Sequence, residues 1–227
     1  MARTVDRAAH TVRRDAFLDA AERLIRACGY DQMTVQDVLD EVGASKGAFY
    51  HYFDSKEALL QAVIERMVET AIGVVEPIVA DPSLSAAAKL QAVFSAGGQW
   101  KTERSDLLLG LIRSWYSEEN DLVRLRIVRV SARGLAPIVA AIIRQGVAEG
   151  TFSLTSPDHT ASIIVNLLFG SGDTFGELAL GRRDGGVAFE EAERYIHAYD
   201  EAIERILGLP VGSFVLIDTP SLHVWFD

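Results

Sequence analysis

The chain has 227 residues, 49% of them hydrophobic and 24% charged, which is enough for a substantial core without disulfide or metal staples and too apolar for extended disorder. A formal net charge of -10 excludes a protein that coats nucleic acid or anionic membrane by bulk charge, but leaves room for a local basic patch. The single Cys28 rules out an internal disulfide and a zinc site built on several thiolates. With no signal peptide and no apolar run of about 18 residues, the chain reads as cytoplasmic and free of membrane.

Helical periodicity dominates from end to end, so the expected fold class is all-α. From about Thr11 to Cys28, Phe17, Ala20, Ala21, Leu24, Ile25 and Cys28 recur three and four apart, with Gly29 as the stop. The residues before Thr11 form an arm carrying Arg3 and Arg7, continued by Arg13 and Arg14. Such an arm either lies along a phosphate backbone or is a frayed terminus. Cys28 itself is expected to be a small buried residue. Thr34 opens a second helix with Asp37 at its third position and Val35, Val38, Leu39 and Val42 on one stripe, closed by Gly43. Ser45 caps a short third helix through Phe53, and Ser55 caps a fourth that runs toward Pro77.

Longer helices follow over roughly 85–102, 105–116, 121–149, 157–180 and 188–207, with Pro137 expected to kink or divide the third of these. The tail from Val211 to Asp227 is apolar around Pro220 and reads as two short extended pieces. The expected organisation is a first helical unit at 1–55, a larger helical body at 56–210, and the tail at 211–227.

The stretch Thr34 to Lys56 carries the chemistry. Two short helices joined by a tight glycine turn are the layout of a helix-turn-helix, whose second helix enters the DNA major groove N-terminus first. In that placement Thr34 and Ser45 either cap their helices or give their hydroxyls to phosphate. Lys46 and Lys56 suit phosphates, the first also a guanine edge, and Gly47 lets the backbone approach closely. Ala48 suits a thymine methyl, while Tyr50 and His51 suit phosphate or sugar. Phe49 and Phe53, four apart, are expected in the core, and Tyr52 reads either way.

These residues, in this order and spacing, resemble the tetracycline-repressor-like (TetR) family of transcriptional regulators: Gly29-Tyr30, Thr34-Val35, Val42-Gly43, Ser45-Lys46-Gly47, Phe49-Tyr50, Phe53 and Ser55-Lys56-Glu57. The resemblance is strong over about 17–60. It departs where the family usually has Tyr-His and this chain has His51-Tyr52, and where Asp54 stands in place of a frequent proline. It implies a homodimer whose N-terminal units bind the half-sites of a palindromic double-stranded operator, with C-terminal helices that bind a small-molecule effector. The effector would release a repressor by changing the separation of the recognition helices. No cofactor, metal or catalytic residue is implied.

For the effector, the candidate residues are Trp100, Leu111, Arg113, Trp115, Tyr116, Asn166, Phe169 and Asp173, with Arg113 facing an anionic group or else paired internally among plain core aromatics. Ser162, Asn166, Gly170 and Asp173, near helical spacing, also suit a self-association face. Arg126, Arg129 and Arg133 read as a solvated stripe, and Glu193 with His197 as a surface pair. Through Lys56 there are eight basic against nine acidic side chains, so nearly all of the negative charge lies beyond the helix-turn-helix.

Overall fold

The computed structural model describes residues 2–115, 121–183 and 188–226, and their side chains apart from 2–8, 112–115, 121–124, 126–127, 171–173, 180 and 182–183. Its helices are α1 (Ala2–Cys28), α2 (Val35–Val42), α3 (Lys46–Tyr52), α4 (Lys56–Ala80), α5 (Ala86–Thr102), α6 (Ser105–Trp115), α7 (Asp121–Glu149), α8 (Pro157–Arg183), α9 (Phe189–Leu207) and α10 (Thr219–Phe226). Among the described residues there is no strand. The chain divides into two compact units, one made of Met1–Met67 with Asp106–Ile127, the other of Val68–Ser105 with Val128–Asp227.

In the first unit α1 packs on α2, and the buried faces of α1 to α4 supply Phe17, Leu18, Ile25, Val38, Leu39, Phe49 and Leu59 to its core, joined by Met33 and Phe53 from the connections. The rings of Phe17, Phe49 and Phe53 meet with centroids 5.6–6.1 Å apart, close enough for favourable edge and tilted contacts. Arg66 ties α4 to α1 through Asp19 at 2.7 Å and Glu22 at 2.6 Å, and Arg23 pairs with Glu41 of α2. Gly110 brings α6 against α1 so closely that a Cβ there would fall 2.9 Å from the Ile25 carbonyl oxygen.

The second unit is built around Leu90, Val93, Val139, Ile142, Ile143, Ile164, Val165, Ile203 and Leu207. Its helix ends are held by side chains from elsewhere in the unit. Glu149 accepts the Ala86 N–H at the start of α5 (2.9 Å), which holds its carboxyl below the usual range, and the buried Lys89 donates to the Val79 carbonyl near the end of α4 (2.7 Å). Gly146 makes room for Phe152, whose Cδ2 would otherwise lie 2.1 Å from a Cβ.

Several expectations are corrected. Helix α1 starts at Ala2, not near Thr11, because no helix breaker stands between them. Helix α4 runs through Pro77 to Ala80, and α7 through Pro137 without dividing. Cys28 is exposed, its Sγ donating to the Leu24 carbonyl at 3.2 Å, because it occupies the last turn of α1 beyond the buried Ile25.

The tail is not a pair of extended pieces. Asp218 caps α10, accepting the Ser221 N–H at 2.8 Å, with Pro220 in the first turn where its missing N–H costs nothing. Leu222, Trp225 and Phe226 are buried, and α10 packs on α5, α8 and α9. The segment before it is held by side chains rather than by a neighbouring strand. Glu204 accepts the Phe214 N–H (2.9 Å), Gln91 the Val215 N–H (3.0 Å) and Asp200 the Leu216 N–H (2.7 Å), while Gln91 also donates to the Val215 carbonyl (2.9 Å). Asp200 and Glu204 are buried, one turn apart on α9.

Candidate nucleic-acid interface

The turn between α2 and α3 depends on backbone geometry that only glycine adopts at little cost. Gly43 sits at φ 65°, ψ 44°, in the left-handed region, and this lets Ala44 return its N–H to the Leu39 carbonyl at 3.0 Å. Thr34 and Asp37 cap α2 reciprocally: the threonine N–H and hydroxyl donate to the carboxylate at 2.8 and 2.7 Å, and the hydroxyl accepts the Asp37 N–H at 3.1 Å. Those donors hold the Asp37 carboxyl below the usual range. Ser45 caps α3 by accepting the Ala48 N–H at 3.3 Å.

With both ends fixed, α3 has two distinct faces. Phe49 is fully buried, and Phe53, its C-cap, is buried beside it. Ser45, Lys46, Gly47, Tyr50 and His51 are exposed on the other side, with Ala48 half-buried between the faces. Tyr50 leaves 46% of its surface open, a large value for an aromatic residue, and the Lys46 ammonium lies 6.0 Å from its ring centroid. A Cβ built on Gly47 would meet nothing within 4 Å. The fold itself therefore does not need a glycine there.

Lys56 is differently placed. Its ammonium donates to the Asp31 carbonyl at 3.2 Å and lies 4.3 Å from the Tyr30 ring centroid, bracing the start of α4 against the α1–α2 connection. Tyr30 is buried, and burial together with Glu57 and Asp31 pushes its hydroxyl well above the usual phenol range.

The inverted pair separates cleanly. His51 is exposed, and Tyr52 is half-buried against Phe17 (5.7 Å) and His10 (4.6 Å). His10 also meets His51 edge-on at 5.7 Å. Periodicity alone does not reveal this contact of α1 with α3, although the unbroken run of helix-compatible residues before Thr11 is a signal for it.

The effector candidates are spread over both units. Leu111 is buried in the first. In the second, Trp100 is buried with its Nε1 lacking any hydrogen-bond partner, Phe169 packs at the edge of the core, and Asn166 is exposed. The Arg104 guanidinium stacks 4.5 Å from the Trp100 ring centroid and donates to the Trp100 carbonyl at 3.1 Å. The side chains of Arg113, Trp115 and Asp173, and all of Tyr116, lie outside the described residues. Arg129 and Arg133 are exposed, and His197 pairs with Asp200 (3.5 Å).

Comparison with known proteins places this geometry. Residues 17–63 match the family described as bacterial regulatory proteins, tetR family. The chain is 26% identical over 156 residues, 69% of its length and 74% of the relative's, to the HTH-type transcriptional repressor KstR2 of Mycolicibacterium smegmatis. It is 43% identical over 56 residues, 25% of its length, to an HTH-type transcriptional regulator of Lactococcus lactis, spanning 29% of that protein. Among solved structures, Salmonella enterica GusR superposes with a TM-score of 0.59 at 17% identity, covering 86% of this chain and 95% of that one. No helix among the described residues is long and apolar enough to cross a membrane.

Proposed function

We propose, from the premise that this chain belongs to the TetR family of bacterial transcriptional regulators, that it is a cytoplasmic, homodimeric repressor which reads a palindromic operator with α3 and is released by a small-molecule effector. The observation that carries the DNA-binding reading is the two-faced α3, with Phe49 and Phe53 locked inside while Lys46, Tyr50 and His51 face outward around an unobstructed Gly47. In the major groove, Lys46 would reach phosphate or a guanine edge, Ala48 a thymine methyl, and Tyr50 and His51 the sugar-phosphate backbone. Ser45 and Thr34 sit at the helix starts beside them, and the half-buried Lys56 holds the Asp31 carbonyl at the start of α4.

A chain whose negative charge lies mostly beyond Lys56 binds non-specific DNA weakly, so affinity comes from a few contacts made twice by a dimer. The effector would act by binding the released state more tightly than the DNA-bound one. Trp100, with an unused buried N–H, is the donor best supported as a ligand contact. The test is binding of the purified chain to DNA from its own promoter region. Lys46→Ala is expected to weaken binding by about 1–3 kcal/mol where it reads a base edge, and Tyr50→Ala to weaken it about equally on all sequences, with unchanged melting temperature. Wild-type affinity in both variants would overturn the assignment of the reading face.

A further inference from the structure

A helix of eight residues is not stable by itself in water, so α10 forms because of what it docks on. Residues 209–218, which contain neither helix nor strand, lead to it. Within them the N–H groups of Phe214, Val215 and Leu216 are held by side chains of α9 and α5. A segment tied down in this way opens locally at lower cost than the packed helices it covers.

Docked, α10 cross-ties three other helices. The Phe226 ring meets Phe175 of α8 edge-on at 5.2 Å and Phe189, the first residue of α9, at 6.3 Å, while His223 stacks on Phe189 at 4.4 Å. Trp225 lies 5.7 Å from the Phe175 ring and is only 6% exposed. Its one polar group, the indole N–H, donates to the Thr102 hydroxyl at 3.3 Å. Thr102 is the last residue of α5, and only Glu103 and Arg104 separate it from α6. Two linking residues carry four soft backbone dihedrals, and Arg104 folds back on the carbonyl and ring of Trp100, so the start of α6 follows the last turn of α5. Further along α6, Gly110 leaves no room for a Cβ beside the Ile25 carbonyl, and packing that close passes a displacement on rather than absorbing it.

We propose that α10 is a latch on the α5–α6 junction, with Trp225 as a positioning residue that acts through Thr102. Docked, the latch fixes the last turn of α5 and with it the start of α6; undocked, it frees that junction and weakens operator binding. The effect on affinity rests on the reading of α3 as the DNA-binding helix, whereas the effect on α6 does not.

The experiment uses the full chain well below its melting temperature, reading amide hydrogen exchange residue by residue and affinity for promoter-region DNA. Trp225→Phe keeps a ring against Phe175 and loses the donor, and Thr102→Val loses the acceptor. Each is expected to speed exchange at Leu109 to Leu111 and to weaken operator binding by about 2–30-fold, the range for coupling carried through packed side chains. The two together should do no more than either alone, since they break one bond. Trp225→Ala is expected to have the larger effect, and Thr102→Ser, which keeps the hydroxyl, to match wild type. Exchange at Ile143 and Ile164, in the core of the second unit, should stay at the wild-type rate. If the wild-type chain does not bind promoter DNA, the reading of α3 fails and the exchange at 109–111 alone decides the latch. Wild-type exchange there in Trp225→Ala overturns the latch. Faster exchange with undiminished operator affinity overturns the positioning role, and so does an acceleration that spreads equally to Ile143 and Ile164, which marks ordinary packing.

Discussion

Glu204 offers the sharpest test of how the second unit is closed. Its carboxylate is almost completely buried and accepts the N–H of Phe214, itself buried, at 2.9 Å. Truncation in Glu204→Ala leaves that N–H without a partner in a place water does not reach, at a cost of about 1–3 kcal/mol, to which the vacated side-chain volume adds. Taking a total of about 3 kcal/mol, a chain of this size should melt about 6–12 °C lower, at about 2–4 °C per kcal/mol. Glu204→Gln keeps an oxygen at the same point and loses only the charge. It also removes the repulsion from Asp200 one turn away, so its expected cost is about 1 kcal/mol or less. Thermal melts give the two shifts, and amide hydrogen exchange at Phe214 to Leu216 locates them. Equal melting temperatures for the two variants would refute the claim that an acceptor at this position holds the tail. Unchanged exchange at 214–216 in Glu204→Ala would refute it independently.

Three further outcomes are expected. Burial pushes the Asp200 carboxyl up, against the Leu216 N–H and His197, which lower it, and with Glu204 reinforcing the rise. The folded state thus holds the proton more tightly than the unfolded one, and the stability this group contributes is lost as pH rises through its folded value. Asp200→Asn should therefore gain relative to wild type from pH 4 to 7 in urea-unfolding midpoints, and a difference that shrinks with pH contradicts the sign. Gly47→Ala is expected to raise stability by about 0.4–1 kcal/mol, chiefly by restricting the unfolded chain, while weakening operator binding, and a variant with full affinity would show that nothing approaches that position closely. Trp100→Phe removes a buried N–H that has no partner, and should change stability by about 1 kcal/mol or less because the lost volume offsets the relieved donor. If the effector accepts that N–H, its affinity falls in the same variant, measurable by calorimetry.

Where structure is written in neighbouring residues, the sequence is a good guide. Thr34 with Asp37, Ser45 three residues before Ala48, and Gly43 between them specify two capped helices and their turn, because every group involved lies within one helical turn of its partner. The inward Phe49 and Phe53 follow from the same local logic. Lys56 is harder to read. Its cationic end suits phosphate in the sequence, and only the folded position of Asp31, 25 residues away, shows that it also donates to a backbone carbonyl.

The tail shows the same limit more strongly. Asp218-Thr219-Pro220 is a helix start, but the apolar residues around it have no clear face, and a short apolar run reads equally as strand. Nothing near Glu204 and Asp200 reveals that they hold backbone 10 and 16 residues further on, or that Gln91 meets Val215 across 124 residues of chain. The acidic pair on α9 looks like an ordinary solvated face until the tail covers it.

Neither compact unit is a continuous piece of chain. The polypeptide leaves the first unit after Met67, returns at Asp106, and leaves it again after Ile127. During synthesis from the N-terminus, the helix-turn-helix is therefore complete as a sequence long before its unit is complete as a structure, since α6, with Gly110 against the Ile25 carbonyl, emerges about forty residues later. A fragment ending at Met67 keeps every residue of the reading face but lacks the helix that closes over α1. In chain order, the residues that complete the first unit thus follow a stretch of polypeptide that belongs to the second.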